Sequence, residues 1–287
     1  APSQTAFRWQ TNLEWSAALG SESICARRAR PVIPGRSCRT YKYNQQLDQR
    51  PNHQIANQLS QSNITIISGG AIGIDTIDGG LGTDTVNLDW STNTQGFSTA
   101  FSIQKSDGTW VHFGEHSDST TATINNLQSA FASSPKGYKY SFTSNGSEAS
   151  SVSWSNIETL NVIGNKFNDF IVYQAGGKEY KGNDGQDTFY GDFSSWEEDV
   201  VWVNGVNETN NIVSKLGNEH QVAVSGFERL LILTGSGNDV ITQGVSGTND
   251  EFILGAGDDI VFTNNGNDTV NGQLGNDIID TGIDEDI

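Results

Sequence analysis

The chain has 287 residues, 34 acidic against 16 basic, and a formal charge of −18. That balance argues against nucleic acid as the main partner, because phosphate neutralisation needs a basic face, and no run of about 18 apolar residues occurs to make a membrane span. With 32 glycines, 5 prolines, no methionine and 34% hydrophobic residues, the composition suits many short strands joined by tight turns and does not suit a helical bundle.

Residues 1–60 differ from the rest. They carry Arg8, Arg27, Arg28, Arg30, Arg36, Arg39, Lys42 and Arg50 against Glu14, Glu22 and Asp48, a net of +5, whereas residues 61–287 hold 8 basic and 31 acidic residues, a net of −23. The stretch is rich in Gln, Asn and Arg, with Trp9 and Trp15 as its obvious hydrophobic anchors, and reads as a basic, partly ordered arm or linker. Cys25 and Cys38 fit either a disulfide of an exported protein or two free thiols. Residues 1–20 lack a basic start followed by an apolar core, which fits a mature chain, a fragment, or export without an N-terminal signal.

From residue 61 a nine-residue beat begins. In the first block, 61–92, Gly70 to Asp78 and Gly79-Gly-Leu-Gly-Thr-Asp-Thr-Val-Asn87 are tandem units, marked by Asp75 and Asp84 with Ile77 and Val86 two residues on. Residues 93–151 form an excursion that alternates aromatic or β-branched residues with polar ones, as in Trp110-Val-His-Phe113; strands or hairpins are expected, with a short helix around Ile124–Phe131. Residues 152–192 hold a re-entry strand and a second block: Gly164 leads to Asp169, a degenerate unit has Lys178 where Asp belongs, and Gly182 to Tyr190 restores the pattern at Asp187. A shorter excursion, 193–221, contains Val200-Val-Trp-Val203. Residues 222–287 repeat the re-entry strand, Val222–Leu233 aligning with Val152–Ile163, and then carry Asp250, Asp259, Asp268, Asp277 and Asp286 at strict intervals of nine. Asp239 stands eleven before Asp250, so a two-residue insertion puts it out of phase.

Glycines at alternate positions permit the positive φ that a tight turn needs. Three extended residues follow, the central one pointing inward. Nine residues thus make one turn and one short strand, and two such units make a coil, with coils stacked at the strand spacing of about 4.8 Å. Aspartates two units apart then lie one above the other: Asp250 with Asp268, Asp259 with Asp277, Asp268 with Asp286, and Asp169 with Asp187. Carboxylates that close repel unless a cation lies between them, and Ca²⁺, with oxygens at about 2.3–2.6 Å, fills such a gap. Turn carbonyls at Gly73, Gly82, Gly185, Gly255, Gly257, Gly266 and Gly275 are candidates for the remaining oxygens. Asp75 and Asp84 have no carboxylate two units away; their neighbour is expected from the re-entry after the excursion, with the coil carrying Asp169 as the candidate. The irregular units at Phe167 and Lys178 predict fewer ions in the middle block.

The pattern resembles the RTX (repeats-in-toxin) calcium-binding nonapeptides, Gly-Gly-x-Gly-x-Asp-x-apolar-x. Gly79 to Asn87 is the fullest match, with Gly182 to Tyr190 and Gly272 to Asp280 close behind. The resemblance implies a parallel β-roll, calcium on the turns, and export through a type I channel with folding on external calcium. In such chains the export signal usually follows the last repeat, and Ile287 lies inside a repeat; either the chain is a fragment or that route does not apply to it.

Catalytic strings are sparse. His112-Phe-Gly-Glu-His116 matches an inverted zinc-protease string, but that chemistry needs a helix and the context reads as strand and turn. His-Glu-x-x-His, Gly-x-Ser-x-Gly, the nucleotide loop and the dinucleotide fingerprint are absent. Glu115, Glu148, Glu179, Glu197 and Glu198 have no assigned role. Glu158 and Glu228 occupy equivalent places in the two re-entry strands, which favours a structural role such as a turn hydrogen bond. Trp90, Trp110, Trp154, Trp196 and Trp202 fit core packing better than a sugar-stacking surface.

The expectation is therefore an all-β protein, a parallel β-roll or β-solenoid of calcium-binding nonapeptides interrupted by β-rich excursions. The function expected is that of a secreted, non-enzymatic structural or adhesive protein of a surface layer, sheath, matrix or filament, binding several Ca²⁺ ions. The alternative is a calcium-stabilised module of a polysaccharide-active or hydrolytic enzyme. Candidate partners besides calcium are a second copy or another surface protein, met through the basic 1–60 arm, and polysaccharide.

Overall fold

The computed structural model describes residues 42–46, 54–56, 61–67, 74–91, 98–114, 121–144, 147–174, 176–203, 210–214, 221–242 and 247–287. Most of the basic arm with Cys25 and Cys38, together with Gly73, Glu115, His116 and the side chains of Asp75 and Glu148, lies outside the description. The fold below is that of the unit Lys42–Ile287.

The beat produces very short strands. Phe170–Val172, Glu179–Lys181, Val240–Thr242, Glu251–Ile253, Ile260–Phe262, Thr269–Asn271 and Ile278–Asp280 each have three residues. Side chains alternate across a strand, so the middle residue turns inward; Ile171, Tyr180, Ile241, Phe252 and Val261 are buried accordingly.

Among the described residues the strands form three sheets. A five-stranded, wholly parallel sheet runs Phe170–Val172, Thr188–Asp192, Arg229–Leu233, Glu251–Ile253, Thr269–Asn271. An eleven-stranded sheet begins with Lys42–Gln46, Gln61–Ile67, Thr83–Asp89, Thr159–Ile163 and Glu179–Lys181, and ends with Val240–Thr242, Ile260–Phe262 and Ile278–Asp280. The second excursion enters its middle as Val200–Val203 and Asn210–Ser214, antiparallel to each other, with Asn210–Ser214 antiparallel also to the re-entry strand Gln221–Ser225. The third sheet carries Gln54–Ala56 and Ile74–Asp78 in parallel with Ser147–Ser155, which continues antiparallel into the first excursion through Gly137–Ser144, Ser98–Gln104 and Trp110–Phe113. His112 therefore lies on a strand, its Nδ1 2.8 Å from Ser102 Oγ, and not on the helix a zinc-protease string requires.

Register follows the sequence arithmetic where the beat is regular and departs from it where it is not. Phe170 pairs with Thr188, Glu251 with Thr269 and Ile260 with Ile278, two nonapeptides apart in each case. Leu231 pairs with Glu251 and Val240 with Ile260, so these coils are two residues longer. The insertion is absorbed within a lengthened coil, and Asp239 stays in phase, contrary to the sequence expectation.

The first excursion is bound to the repeats rather than looped away from them. Its helix spans Ile124–Phe131, with Thr123 as N-cap (Oγ1 accepts from Asn126 N–H) and Ile124, Leu127 and Ala130 turned inward. Glu251 accepts the Ile124 N–H at 2.9 Å, and Arg229 donates to the Ala122 carbonyl at 3.0 Å and to Glu251 at 3.3 Å. Trp90 meets Tyr140 and Phe142 edge-on at 5.1 and 4.8 Å. Trp154, Trp196 and Trp202 are buried too, while Trp110 is half-buried beneath the Lys139 ammonium.

Trp202 on the second excursion packs against Phe189 of the repeats with ring centroids 6.0 Å apart. Truncating a large buried aromatic removes both its transfer energy and its packing. Trp202→Ala is expected to lower stability by about 3–5 kcal/mol, read as a denaturant midpoint with calcium present, whereas Trp110→Ala shifts the same midpoint little.

Candidate metal centre

Six turns share one backbone shape, which the turn Thr234–Asp239 lacks although Asp239 joins the ladder. Positions two and four of the unit take positive φ, as at Gly80 and Gly82 (80° and 126°), Asn183 and Gly185 (75° and 142°), Gly255 and Gly257 (87° and 137°), and Gln273 and Gly275 (65° and 143°). Asn264 and Gly266 follow the same pattern, as do Gly282 and Asp284. At position four the requirement is also spatial: a β-carbon on Gly257 would collide with the carbonyl oxygen of Gly237 one coil earlier, and one on Gly275 with that of Gly257. The position-two carbonyls are partly committed, since Leu274 N–H donates to Gly255 O at 3.0 Å. Gly255 therefore serves the turn through its conformation as well as through any open lone pair.

The position-six aspartates form a ladder. Asp169 N–H donates to Asp187 Oδ1 at 2.7 Å, Asp250 N–H to Asp268 Oδ1 at 2.8 Å, Asp259 N–H to Asp277 Oδ1 at 3.1 Å and Asp268 N–H to Asp286 Oδ1 at 3.0 Å. All four expected pairs are brought together, through a hydrogen bond from the main chain of one aspartate to the carboxylate of the next. Each reaches back to the main chain of the coil before it. The ladder also includes Asp239 N–H to Asp259 Oδ1 and Val200 N–H to Asp239 Oδ1, both at 2.7 Å.

Across the excursions a glutamate takes over. Asp84 N–H donates to Glu158 Oε2 at 2.7 Å and Asp187 N–H to Glu228 Oε2 at 2.8 Å. The neighbour of Asp84 is thus the re-entry Glu158 and not the coil of Asp169. A second ladder, which the sequence reading missed, uses position five. Asn238 Oδ1 accepts Asp258 N–H and Asp258 Oδ1 accepts Asn276 N–H, both at 2.8 Å, while Asn249 Oδ1 accepts Asn267 N–H at 3.0 Å. These side chains reach forward to the next coil. Its signal was the recurrent Asn-Asp or Asp-Asp pair at positions five and six.

The second carboxylate oxygen decides the chemistry. Oδ2 of Asp187, Asp239, Asp259 and Asp268 is buried and has no hydrogen-bond partner. An ionised carboxylate in that condition is costly unless a counter-charge reaches it. Burial accordingly pushes Asp187 up to about 8 and Asp239 up to about 6, with neighbouring carboxylates adding to the rise. Asp259 and Asp268 are raised for the same first reason, burial. Among the described residues no three acidic, His or Cys side chains converge on one point, so a bound ion would draw heavily on main-chain oxygens. Anionic oxygen without a donor, set among peptide carbonyls, fits a hard divalent cation such as Ca²⁺ and offers nothing to a soft metal.

Asp169 differs from the others. Its Oδ2 accepts Asn165 N–H at 2.6 Å and its Oδ1 accepts Asn165 Nδ2 at 3.1 Å, so its own turn satisfies it. Burial still raises it to about 7. The turn from Gly164 also has no positive φ at positions two and four, where Asn165 and Phe167 stand. In the next unit Lys178 supplies no carboxylate, and its N–H donates to Asn161 Oδ1 at 2.8 Å.

Turns of this shape, with one ladder aspartate each, are those of a nonapeptide-repeat protein with oxygen-rich turns. The family model of the RTX calcium-binding nonapeptide repeat (4 copies) matches two segments of the chain, residues 66–94 and 246–287. The chain carries RTX repeats, and calcium is the ion such repeats bind. The block from Gly164 to Tyr190 lies outside the matched segments. A search of the curated proteins finds no match.

The raised carboxylates set a pH dependence for the ion-free fold. An unfolded chain releases these protons near pH ~4, whereas the folded, ion-free turns hold those of Asp239, Asp169 and Asp187 to about 6, about 7 and about 8. Between those limits the folded state binds more protons, so its stability falls as pH rises. Calcium-stripped protein is expected to show more β signal in far-UV circular dichroism at pH ~5 than at pH ~8, and saturating calcium to remove the difference. A calcium-stripped protein with no such loss would contradict the buried-carboxylate account.

Proposed function

We propose that the chain is a secreted, calcium-folded structural protein, an element of a surface layer, sheath, matrix or filament, with no catalytic role of its own. The observation that carries the reading is the row of buried carboxylate oxygens without a donor, which makes a divalent cation part of the folded state. The parallel ladders are read as a β-roll interrupted by two excursions, with ions held on the turns by Asp84, Asp187, Asp239, Asp250, Asp259, Asp268, Asp277 and Asp286 together with main-chain carbonyls. Residues 61–287 hold 31 acids against 8 bases, and their repulsion opposes compaction until ions neutralise it. External calcium would then act as the folding signal after export. Within residues 1–60, Lys42–Gln46 and Gln54–Ala56 belong to the sheets; the positive charge of residues 1–41 favours contact with an acidic neighbour, including a second copy.

Two features support the structural reading over a hydrolytic one. Trp90, Trp154, Trp196 and Trp202 are spent on the core, and Glu158 and Glu228 accept main-chain N–H groups.

At neutral pH the chelated protein is expected to lack β signal and to gain it cooperatively at roughly 0.1–1 mM calcium, the range of extracellular modules. Circular dichroism that ignores both chelator and calcium would defeat the proposal. Hydrolysis of a polysaccharide by the calcium-loaded chain would transfer it to the enzyme alternative.

A further inference from the structure

The two re-entry turns, Asn156-Ile157-Glu158 and Gly226-Phe227-Glu228, lie outside the matched repeats, yet they place the same atoms over the turn before them. Glu158 and Glu228 accept the N–H groups of Asp84 and Asp187. A β-carbon on Gly79 would strike the Asn156 carbonyl oxygen and stand 2.9 Å from Asp84 Oδ2; one on Gly182 would strike the Gly226 carbonyl oxygen and stand 2.5 Å from Asp187 Oδ2. In each case a carbonyl oxygen of the re-entry turn and a carboxylate oxygen of the preceding turn border the space left by one missing side chain.

At the second re-entry the chemistry is most exposed. Asp187 has no accessible surface, and its Oδ2 has no hydrogen-bond partner. A cleft of about 210 Å³ opens beside it, walled in part by Asp187, Glu228 and Thr248, and gives a path from solvent. The coil before it offers no equivalent, because Asn165 already satisfies Asp169.

We infer that Gly226-Phe227-Glu228 is the second half of a divalent-cation site begun by the turn Gly182–Asp187, with Asp187, the Gly226 carbonyl and the Glu228 carboxylate as oxygen donors. The inference rests on the calcium reading of the repeats. Glutamate suits the place because its extra methylene lets a three-residue turn deliver a carboxylate where a six-residue turn would use aspartate, and calcium accepts a glutamate with one or both oxygens. An ion there ties the strand that returns from the second excursion to the middle block, across a segment with too few regular units to hold its own row.

The test counts ions on the full chain by native mass spectrometry in calcium, comparing wild type with Glu228→Gln, Asp187→Asn and the double variant. Glutamine keeps an acceptor for the Asp187 N–H while removing the charge, so the turn is expected to keep its circular dichroism. Each single variant is expected to carry one ion fewer than wild type, and the double variant no fewer than either single. An unchanged count in Glu228→Gln overturns the inference and leaves Glu228 a turn acceptor. Loss of two ions in the double variant overturns it as well, since the residues would then serve separate sites. A wild type that binds no ion defeats the calcium reading itself.

Discussion

Everything in the repeat rests on a main-chain N–H donating to the carboxylate of the coil after it. Strands of three residues supply few ladder bonds, so the turns must hold neighbouring coils together themselves. A buried N–H without a partner would cost about 1–3 kcal/mol, and aspartate is the shortest side chain that supplies an anionic acceptor at that reach. The same choice creates a difficulty. One oxygen is satisfied and the other is left buried and anionic, at Asp187, Asp239, Asp259 and Asp268. Desolvation of a charge in that position costs several kcal/mol, more than a charge-assisted hydrogen bond of about 1.5–3 kcal/mol returns. The balance is restored by a proton or by a cation, and near neutral pH a divalent cation is the better counter-charge.

The position-five ladder works in the opposite direction with less charge. Asn238, Asn249 and Asn276 belong to it along with Asp258. Position six reaches back and position five reaches forward, so each internal turn is gripped from both sides. This explains why asparagine is so frequent beside the aspartates: its amide oxygen accepts the same N–H without adding to repulsion that is already large.

The excursions are accommodated by local exchanges of residue type. Glu158 and Glu228 replace aspartate where the chain returns through a shorter turn, and Arg229 with Glu251 pins the segment Ala122–Ile124 to the five-stranded sheet. The guanidinium also donates to the Asn249 carbonyl at 2.8 Å, so a fixed protein cation sits among turn oxygens where the repeats are least regular. Calcium-dependent repeats and aromatic-rich excursions thus share one continuous core, from Trp90 and Tyr140 through Phe189 to Trp202 and Phe252.

The period, the inward apolar residues and the helix at Ile124–Phe131 were legible in the sequence, because each depends on neighbours within a few residues. So was the vertical pairing of Asp250, Asp259 and Asp268 with their successors, since an uninterrupted beat leaves a coil one length. Tertiary structure alone decided the rest. Asp239 stays in phase because pairing between strands, and not a count of residues, sets where a lengthened coil closes. Glu158 meets Asp84 from 74 residues away, a contact no local pattern encodes. Asp169 differs from the other ladder aspartates because Asn165 folds back on it and donates to both of its carboxylate oxygens, while also reaching Thr99 of the first excursion. A repeat states which atoms each unit can offer; which of them remain open to an ion depends on what the distant parts of the chain place next to them.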